Sequence, residues 1–290
     1  MFVFKAAVVG AGVMGGEIAQ VIASADVPVV LKDVDQRFVD AGLQKAREVT
    51  EGQVGKLVSK GRLSEEQASA QRDQTLGLIT GATDYDAFGD VDFVVEAVPE
   101  RMEIKHQVFA ELDACTPGHA ILASNTSGLS ITEIGDVTSR PDKVVGFHFF
   151  WPASYMRLVE VIESDDTSPE TAQAAANFAQ QIKKVPVRCS ECPGFVVNRI
   201  LTSTASEIWR YHDESGVSHE QIDELVKEKG GMPMGPFRVA DMSGLDTALK
   251  VAKDMREAYG DRFYVSRAME ELVERGDLGA KTGKGFYEHA

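Results

Sequence analysis

The chain has 290 residues, of which 43% are hydrophobic and 26% charged, and its formal net charge is −15. This composition fits a water-soluble globular protein of about two domains, and no apolar run approaches the ~18 residues of a membrane span. Acidic residues outnumber basic ones in both parts of the chain, which argues against nucleic acid as a partner; an anionic substrate has to be met by a local basic cluster. Three cysteines make no disulfide framework, and the first strand begins almost at once, leaving no room for a leader peptide. We therefore expect a cytoplasmic protein with reduced thiols.

Val3 to Val9 is a short, mostly apolar run that reads as a buried strand. Gly10-Ala11-Gly12-Val13-Met14-Gly15 follows, and then Met14, Ile18, Val21 and Ile22 recur at helical spacing. Val27 to Asp33 is a second apolar run that ends in a carboxylate. A glycine-rich turn alone is a weak signal. Here a strand precedes it, a helix and a second strand follow, and an acid closes the unit. Gly10 permits the tight turn, Gly12 lets a pyrophosphate approach the backbone, and Gly15 allows the helix to pack close to the sheet. The helix N-terminus, with Val13 and Met14 in its first turn, offers unpaired N–H groups to phosphate. Asp33 accepts hydrogen bonds from a ribose diol and repels a 2′-phosphate, so the expected cofactor is NAD rather than NADP.

From Gln36 toward Lys60 the pattern is polar and helical, and Gly61-Arg62-Leu63 breaks it. Ser64 with Gln67 reads as a capping box that opens another helix. This is a helical hairpin inserted into an otherwise regular alternation. Lys56, Lys60 and Arg62 at its tip are either a solvated helix end or an anchor for the phosphates of a large substrate. Thr75 to Ile79, Val91 to Val95 and Ala120 to Ala123 read as further strands, with a helix from Arg101 to Cys115 between the last two. Strands alternating with helices predict a parallel sheet. Ligands bind at the C-terminal strand ends of such sheets. Glu96, Glu100 and Lys105 gather after one strand, and Ser124, Asn125, Thr126 and Ser127 after another.

Val144 to Phe150 and Arg157 to Ile162 read as two neighbouring extended segments. His148 and Glu160 sit in them among apolar residues. A buried carboxylate is costly unless paired, so adjacent segments would let each satisfy the other. Glutamate would hold one imidazole nitrogen and leave the other as a general base. The same pair could equally be a structural hydrogen bond. Ser127 could bond the alcohol oxygen that loses its proton, or could cap a turn. A helix over 169–183 and a short run Val185 to Val187 complete a first domain, residues 1–190. Stretches near 195–215, 218–229, 243–259 and 265–275 have helical periodicity and no clear strands, so residues 191–290 are expected to form an all-α domain. Cys189-Ser190-Glu191-Cys192 has no second pair and suits an interdomain turn better than a zinc site. The remaining histidines show no metal spacing, so no metal is expected.

Taken together, these motifs are similar to those of the L-3-hydroxyacyl-CoA dehydrogenases, in their single-activity, 3-hydroxybutyryl-CoA dehydrogenase-like form. The resemblance runs through the glycine turn, Val94-Val95-Glu96-Ala97, Ser124 to Ser127, Gly146 to Phe150, Leu158 to Ile162, Pro193 to Arg199, Pro233 to Phe237, Gly244-Leu245-Asp246 and Lys281 to Tyr287. It implies an α/β Rossmann-type NAD-binding domain with an inserted helical hairpin, followed by an all-α C-terminal domain that forms a homodimer. It implies oxidation of a 3-hydroxyacyl-CoA with NAD in fatty-acid metabolism. His148 matches the base, Glu160 its partner, Ser127 a contact to the substrate hydroxyl, and Asn198 an asparagine of the site. Asp33, Glu100, Lys105 and Asn125 fall on the cofactor side, and the basic hairpin tip faces the CoA phosphates. One residue departs: Trp151 stands where the family usually has asparagine before Pro152. That leaves the acyl pocket open, and free hydroxy-acid dehydrogenases of the L-gulonate or carnitine type, or a non-catalytic dinucleotide-binding protein, are the alternatives.

Overall fold

The structure, a computed structural model, describes residues 2–289. The chain divides into two compact units that meet between Glu191 and Cys192.

The first unit is an eight-stranded sheet flanked by helices. Its elements are β1 (Ala6–Val9), α1 (Val13–Ala23), β2 (Val29–Lys32), α2 (Gln36–Ser59), α3 (Glu65–Gly77), β3 (Ile79–Ala82), β4 (Phe93–Glu96), α4 (Met102–Cys115), β5 (Ile121–Ser124), α5 (Ile131–Gly135), β6 (Val144–Phe149), β7 (Leu158–Glu163), α6 (Pro169–Gln181) and β8 (Val185–Ser190). The central strands are short apolar runs buried along their whole length, as expected for a sheet covered on both faces. The strand order is β3-β2-β1-β4-β5-β6-β7-β8. Because β1 lies between β2 and β4, successive connections leave on opposite sides there and open a crevice at the C-terminal strand ends. Phe93, Phe147 and Phe178 form the aromatic centre of the core, with ring centroids 5.2 Å apart for Phe93–Phe147 and 4.5 Å for Phe93–Phe178.

The sheet is parallel except between β6 and β7, which run antiparallel. Residues 150–157 are too few for the dozen or more that a parallel crossover needs. The chain must therefore turn straight back, and this puts His148 directly opposite Glu160 in the ladder. The hairpin forms as α2 and α3, and the capping box is complete: the Ser64 hydroxyl accepts the Gln67 N–H, and the Gln67 side chain accepts the Ser64 N–H. One expected strand is corrected. Of the run Thr75 to Ile79, only Ile79 is in β3, because the well-capped α3 continues to Gly77.

The second unit is helical: α7 (Val197–Ser215), α8 (His219–Gly230), α9 (Pro236–Ser243), α10 (Leu245–Tyr259) and α11 (Arg267–Glu274). Helix α9 is an addition to the periodic stretches in the sequence; it starts at Pro236, whose fixed φ suits a first helical turn. Trp209, Phe237, Leu245 and Met269 belong to its core. Buried Asp241 accepts the backbone N–H groups of Phe286 at 3.0 Å and Tyr287 at 2.9 Å, and lies 2.8 Å from the His289 ring. That carboxylate fastens the closing Lys281 to Tyr287 motif onto α9.

Candidate active site

The crevice is built first by the glycine turn. Gly10 has φ +99°, and a Cβ there would come within 2.6 Å of the Ala97 carbonyl carbon. Only glycine fits. Gly12 is different: a Cβ would meet nothing within 4 Å, so the space over the turn is open. At Gly15 a Cβ would collide with the Gly10 carbonyl, which is what lets α1 start hard against β1. No side chain caps α1, leaving its first-turn N–H groups, those of Val13 and Met14 included, to an outside acceptor. Asp33 closes the far side. Its carboxylate accepts the Ala11 N–H at 2.7 Å and the Val34 N–H at 2.7 Å, which orients it and leaves lone pairs for a diol. An uncapped helix end, an open floor at Gly12 and a fixed carboxylate fit a dinucleotide without a 2′-phosphate.

Next to it lies a continuous polar chain. The fully buried Glu96 at the end of β4 meets Lys105 of α4, with Nζ 2.8 Å and 3.0 Å from its two oxygens. The Ser124 hydroxyl donates to Glu96 at 2.6 Å, and the Val98 N–H does so at 2.7 Å. Lys105 also lies 3.3 Å from Glu100. Glu100 in turn accepts the Thr126 hydroxyl at 2.6 Å and the Ser127 N–H at 2.9 Å. The Ser127 hydroxyl is 3.2 Å from His148 Nε2, and His148 Nδ1 is 2.9 Å from Glu160. His148 and Glu160 are both buried. With Nδ1–H donating to the carboxylate, Nε2 carries the lone pair. Phe150 packs edge-on against the imidazole, with centroids 4.6 Å apart, which restricts its rotation.

The other residues singled out in the sequence lie in varied surroundings. Lys105 was expected on the cofactor, but it is 1% exposed and its three N–H donors face Glu96 and Glu100; in this arrangement it supports Glu100. The Asn125 side-chain oxygen accepts the Phe149 N–H at 2.8 Å and so ties the end of β5 to the end of β6. Lys56 is engaged by Tyr155: its ammonium bonds the phenol oxygen and lies 4.7 Å from the ring centroid. Lys60 and Arg62 stay exposed at the hairpin tip. The Trp151 indole is 58% exposed. Asn198 is half-buried in the first turn of α7, in the second unit. The depth of the Glu96–Lys105 pair is not evident from sequence; a charge closing the apolar run Phe93-Val94-Val95, with a lysine nine residues on, was the available signal. Among the described residues no cluster of three or more His, Cys, Asp or Glu side chains is placed to hold a metal ion.

Comparison with known proteins gives the same reading. Residues 5–192 match the family described as "3-hydroxyacyl-CoA dehydrogenase, NAD binding domain", and residues 194–289 match "3-hydroxyacyl-CoA dehydrogenase, C-terminal domain". The "3-hydroxybutyryl-CoA dehydrogenase" of Clostridioides difficile is 40% identical over 286 residues, which is 98% of this chain and 99% of that protein. The "Peroxisomal fatty acid beta-oxidation multifunctional protein MFP2" of Arabidopsis thaliana is 37% identical over 98% of this chain, and the chain spans 38% of that protein's length. The crystal structure of (S)-3-hydroxybutyryl-CoA dehydrogenase from Ralstonia eutropha superposes with a TM-score of 0.92 at 36% identity, covering 100% of both chains. With both of its domains matched in order along nearly the whole chain, the protein belongs to the 3-hydroxyacyl-CoA dehydrogenase family, NAD-dependent oxidoreductases.

Proposed function

We propose that this protein reversibly oxidises an L-3-hydroxyacyl-CoA to the 3-oxoacyl-CoA, with His148 as general base. The observation that carries the reading is the buried His148–Glu160 pair, its Nε2 within 3.2 Å of the Ser127 hydroxyl, on the sheet that bears the glycine turn. An alcohol oxygen that meets Nε2 also meets Ser127. As the substrate oxygen gives up its proton, Nε2 takes it and the ring becomes imidazolium. Glu160, aligned on Nδ1, stabilises that charge in a site where water is largely excluded. Ser127 holds the oxygen as it becomes a carbonyl, and Glu100 holds Ser127. Gly10, Gly12, Val13, Met14, Gly15 and Asp33 would hold NAD, which when bound supplies the hydride acceptor. In the reverse direction the imidazolium returns the proton.

Lys60 and Arg62 are assigned to the CoA phosphates, because they are exposed cations on a protein that is acidic overall. We assign Asn198 to the same active site on the strength of its motif alone. Ile200 and Leu201 on α7 are exposed apolar side chains, which supports a homodimer made through the helical unit. No helix among the described residues is long and apolar enough to cross a membrane; a cytoplasmic location is our reading from the low cysteine content.

The test is a steady-state comparison of acetoacetyl-CoA, longer 3-oxoacyl-CoA thioesters and free acetoacetate, each with NADH and with NADPH. Turnover of a thioester with NADH is expected. Turnover of the free acid alone would move the function to the hydroxy-acid dehydrogenases. His148→Gln should keep NADH affinity within about two-fold and lower kcat by at least ~10²-fold, the contribution typical of a general base.

A further inference from the structure

Two buried charges in the first unit take no part in the chemistry above. Glu17, in the second turn of α1, is 2% exposed, and Lys184, just before β8, is 8% exposed. Both reach the same short stretch of backbone, the turn formed by residues 151–156 between β6 and β7. The Lys184 ammonium donates to the Ala153 carbonyl and, at 2.8 Å, to the Met156 carbonyl. Glu17 accepts the Ser154 N–H at 3.2 Å and the Ser154 hydroxyl at 3.3 Å.

The rest of its anchoring is the fully buried Ala153 side chain and the contact of Lys56 with Tyr155. The β6–β7 ladder ends at the Phe149–Val159 pair. Past that pair the turn closes on itself through the Tyr155 and Met156 N–H groups, both directed to the Pro152 carbonyl. Charge-assisted hydrogen bonds are about twice as strong as neutral ones, and burying a charge is costly unless the charge is used. Burial pushes the Lys184 ammonium down to about 8, while the Glu17 carboxylate opposes that shift and Arg157 adds to it. Lys45 of α2 stands behind Glu17 at 3.5 Å.

The placement matters because of what lies at either end. Trp151 is three residues past His148, and Met156 is four before Glu160. Glu17 lies on the helix whose N-terminus faces the cofactor crevice. We propose that Glu17 and Lys184 are positioning residues: they clamp the 151–156 turn, and through it fix the His148–Glu160 strand pair relative to the cofactor helix. The proposal rests on His148 being the base. Displacement of a base by about 1 Å can cost ~10²-fold in rate. A clamp acting on the turn should therefore be felt in kcat and hardly at all in cofactor binding.

The test uses the full chain with Lys184→Met, Glu17→Ala and the conservative Glu17→Gln, the last keeping an acceptor for Ser154. Three quantities are measured on each folded variant: kcat with acetoacetyl-CoA and NADH, NADH affinity by fluorescence, and amide hydrogen exchange by mass spectrometry. Lys184→Met and Glu17→Ala should lower kcat by about 10- to 100-fold with NADH affinity within about two-fold. Exchange should speed up in peptides covering 151–157, and Glu17→Gln should recover most of the lost kcat. If Lys184→Met fails to fold, the two Glu17 variants carry the same comparison. Faster exchange at 151–157 with kcat within two-fold of wild type would make the clamp merely structural and overturn the proposal. So would a fall in kcat with unchanged exchange at the turn. His148→Gln, run alongside, isolates the underlying reading: if it keeps normal turnover, the base assignment fails independently of the clamp.

Discussion

Replacing Lys105 by methionine tests the network beneath the active site. Methionine keeps most of the side-chain volume and removes the charge. Glu96 then keeps the Ser124 hydroxyl at 2.6 Å and the Val98 N–H at 2.7 Å, but loses a cation that touches both of its oxygens at 2.8 Å and 3.0 Å. Removing one partner of a buried ion pair costs about 3–5 kcal/mol. A stranded carboxylate can limit that cost by taking up a proton. For an ordinary glutamate at pH 7.5 this costs about 4 kcal/mol, at about 1.4 kcal/mol per pH unit from a starting value near 4.3. The expected loss is therefore about 3–4 kcal/mol at pH 7.5 and about 1.5–2 kcal/mol at pH 5.5. The sign follows from linkage. In the variant the folded state holds a proton that the unfolded chain has released. The deficit is thus greatest at neutral pH and shrinks as the pH falls. Urea unfolding at both pH values measures it, followed by the fluorescence of Trp151 in a Trp209→Phe background, since Trp151 lies in the first unit. The double variant Glu96→Gln with Lys105→Met should recover most of the loss. A deficit below about 1 kcal/mol at pH 7.5, well under the buried-pair range, or one that does not change between the two pH values, would refute the reasoning.

Other expectations are simpler to check. Asp33→Ser removes an acceptor whose hydrogen bonds are worth about 1.5–3 kcal/mol; kcat/KM for NADH should fall about 10- to 100-fold while the NADPH:NADH ratio rises, and an unchanged ratio would discard the role given to Asp33. Burial alone would raise the Asp213 carboxyl, but the His212 ring, the Arg267 N–H and the Tyr264 and Ser266 hydroxyls together hold it below its ordinary 3.8. Its contribution is present above that value and lost as the pH falls through and below it. The helical unit, followed through Trp209, should therefore lose stability in that range in the wild type and lose less in Asp213→Asn. The proposed homodimer should be seen in light scattering of the wild type and give way to a monomer in Ile200→Glu; a dimer that persists in the variant would place the interface elsewhere.

Much of the first unit could be read directly from local pattern. The short apolar strands, the glycine turn and Asp33 announce themselves because each is a property of a few consecutive residues. The Ser64–Gln67 capping box was equally legible, and the same short range explains the misreading beside it. Thr75 to Ile79 is apolar enough to be a strand, yet it mostly ends α3, since a helix already started extends at little cost. The His148–Glu160 pair lies between these cases. Each residue stands out as a polar side chain in an apolar run, and only the length of the intervening turn decides that they face each other.

What the sequence determined alone was the inventory: a strand–turn–helix unit suited to a dinucleotide, a histidine and a glutamate each set in an apolar run, and a helical remainder. Those features depend on steric and periodic rules that act within a few residues. The tertiary structure decided how the charges are spent. Lys105 goes to Glu96 and Glu100, Lys56 to Tyr155, and Glu17 and Lys184 to one turn. These pairs join residues five to 137 positions apart. A charge says nothing in sequence about its partner, because pairing is set by desolvation at the place where the folded backbone leaves it.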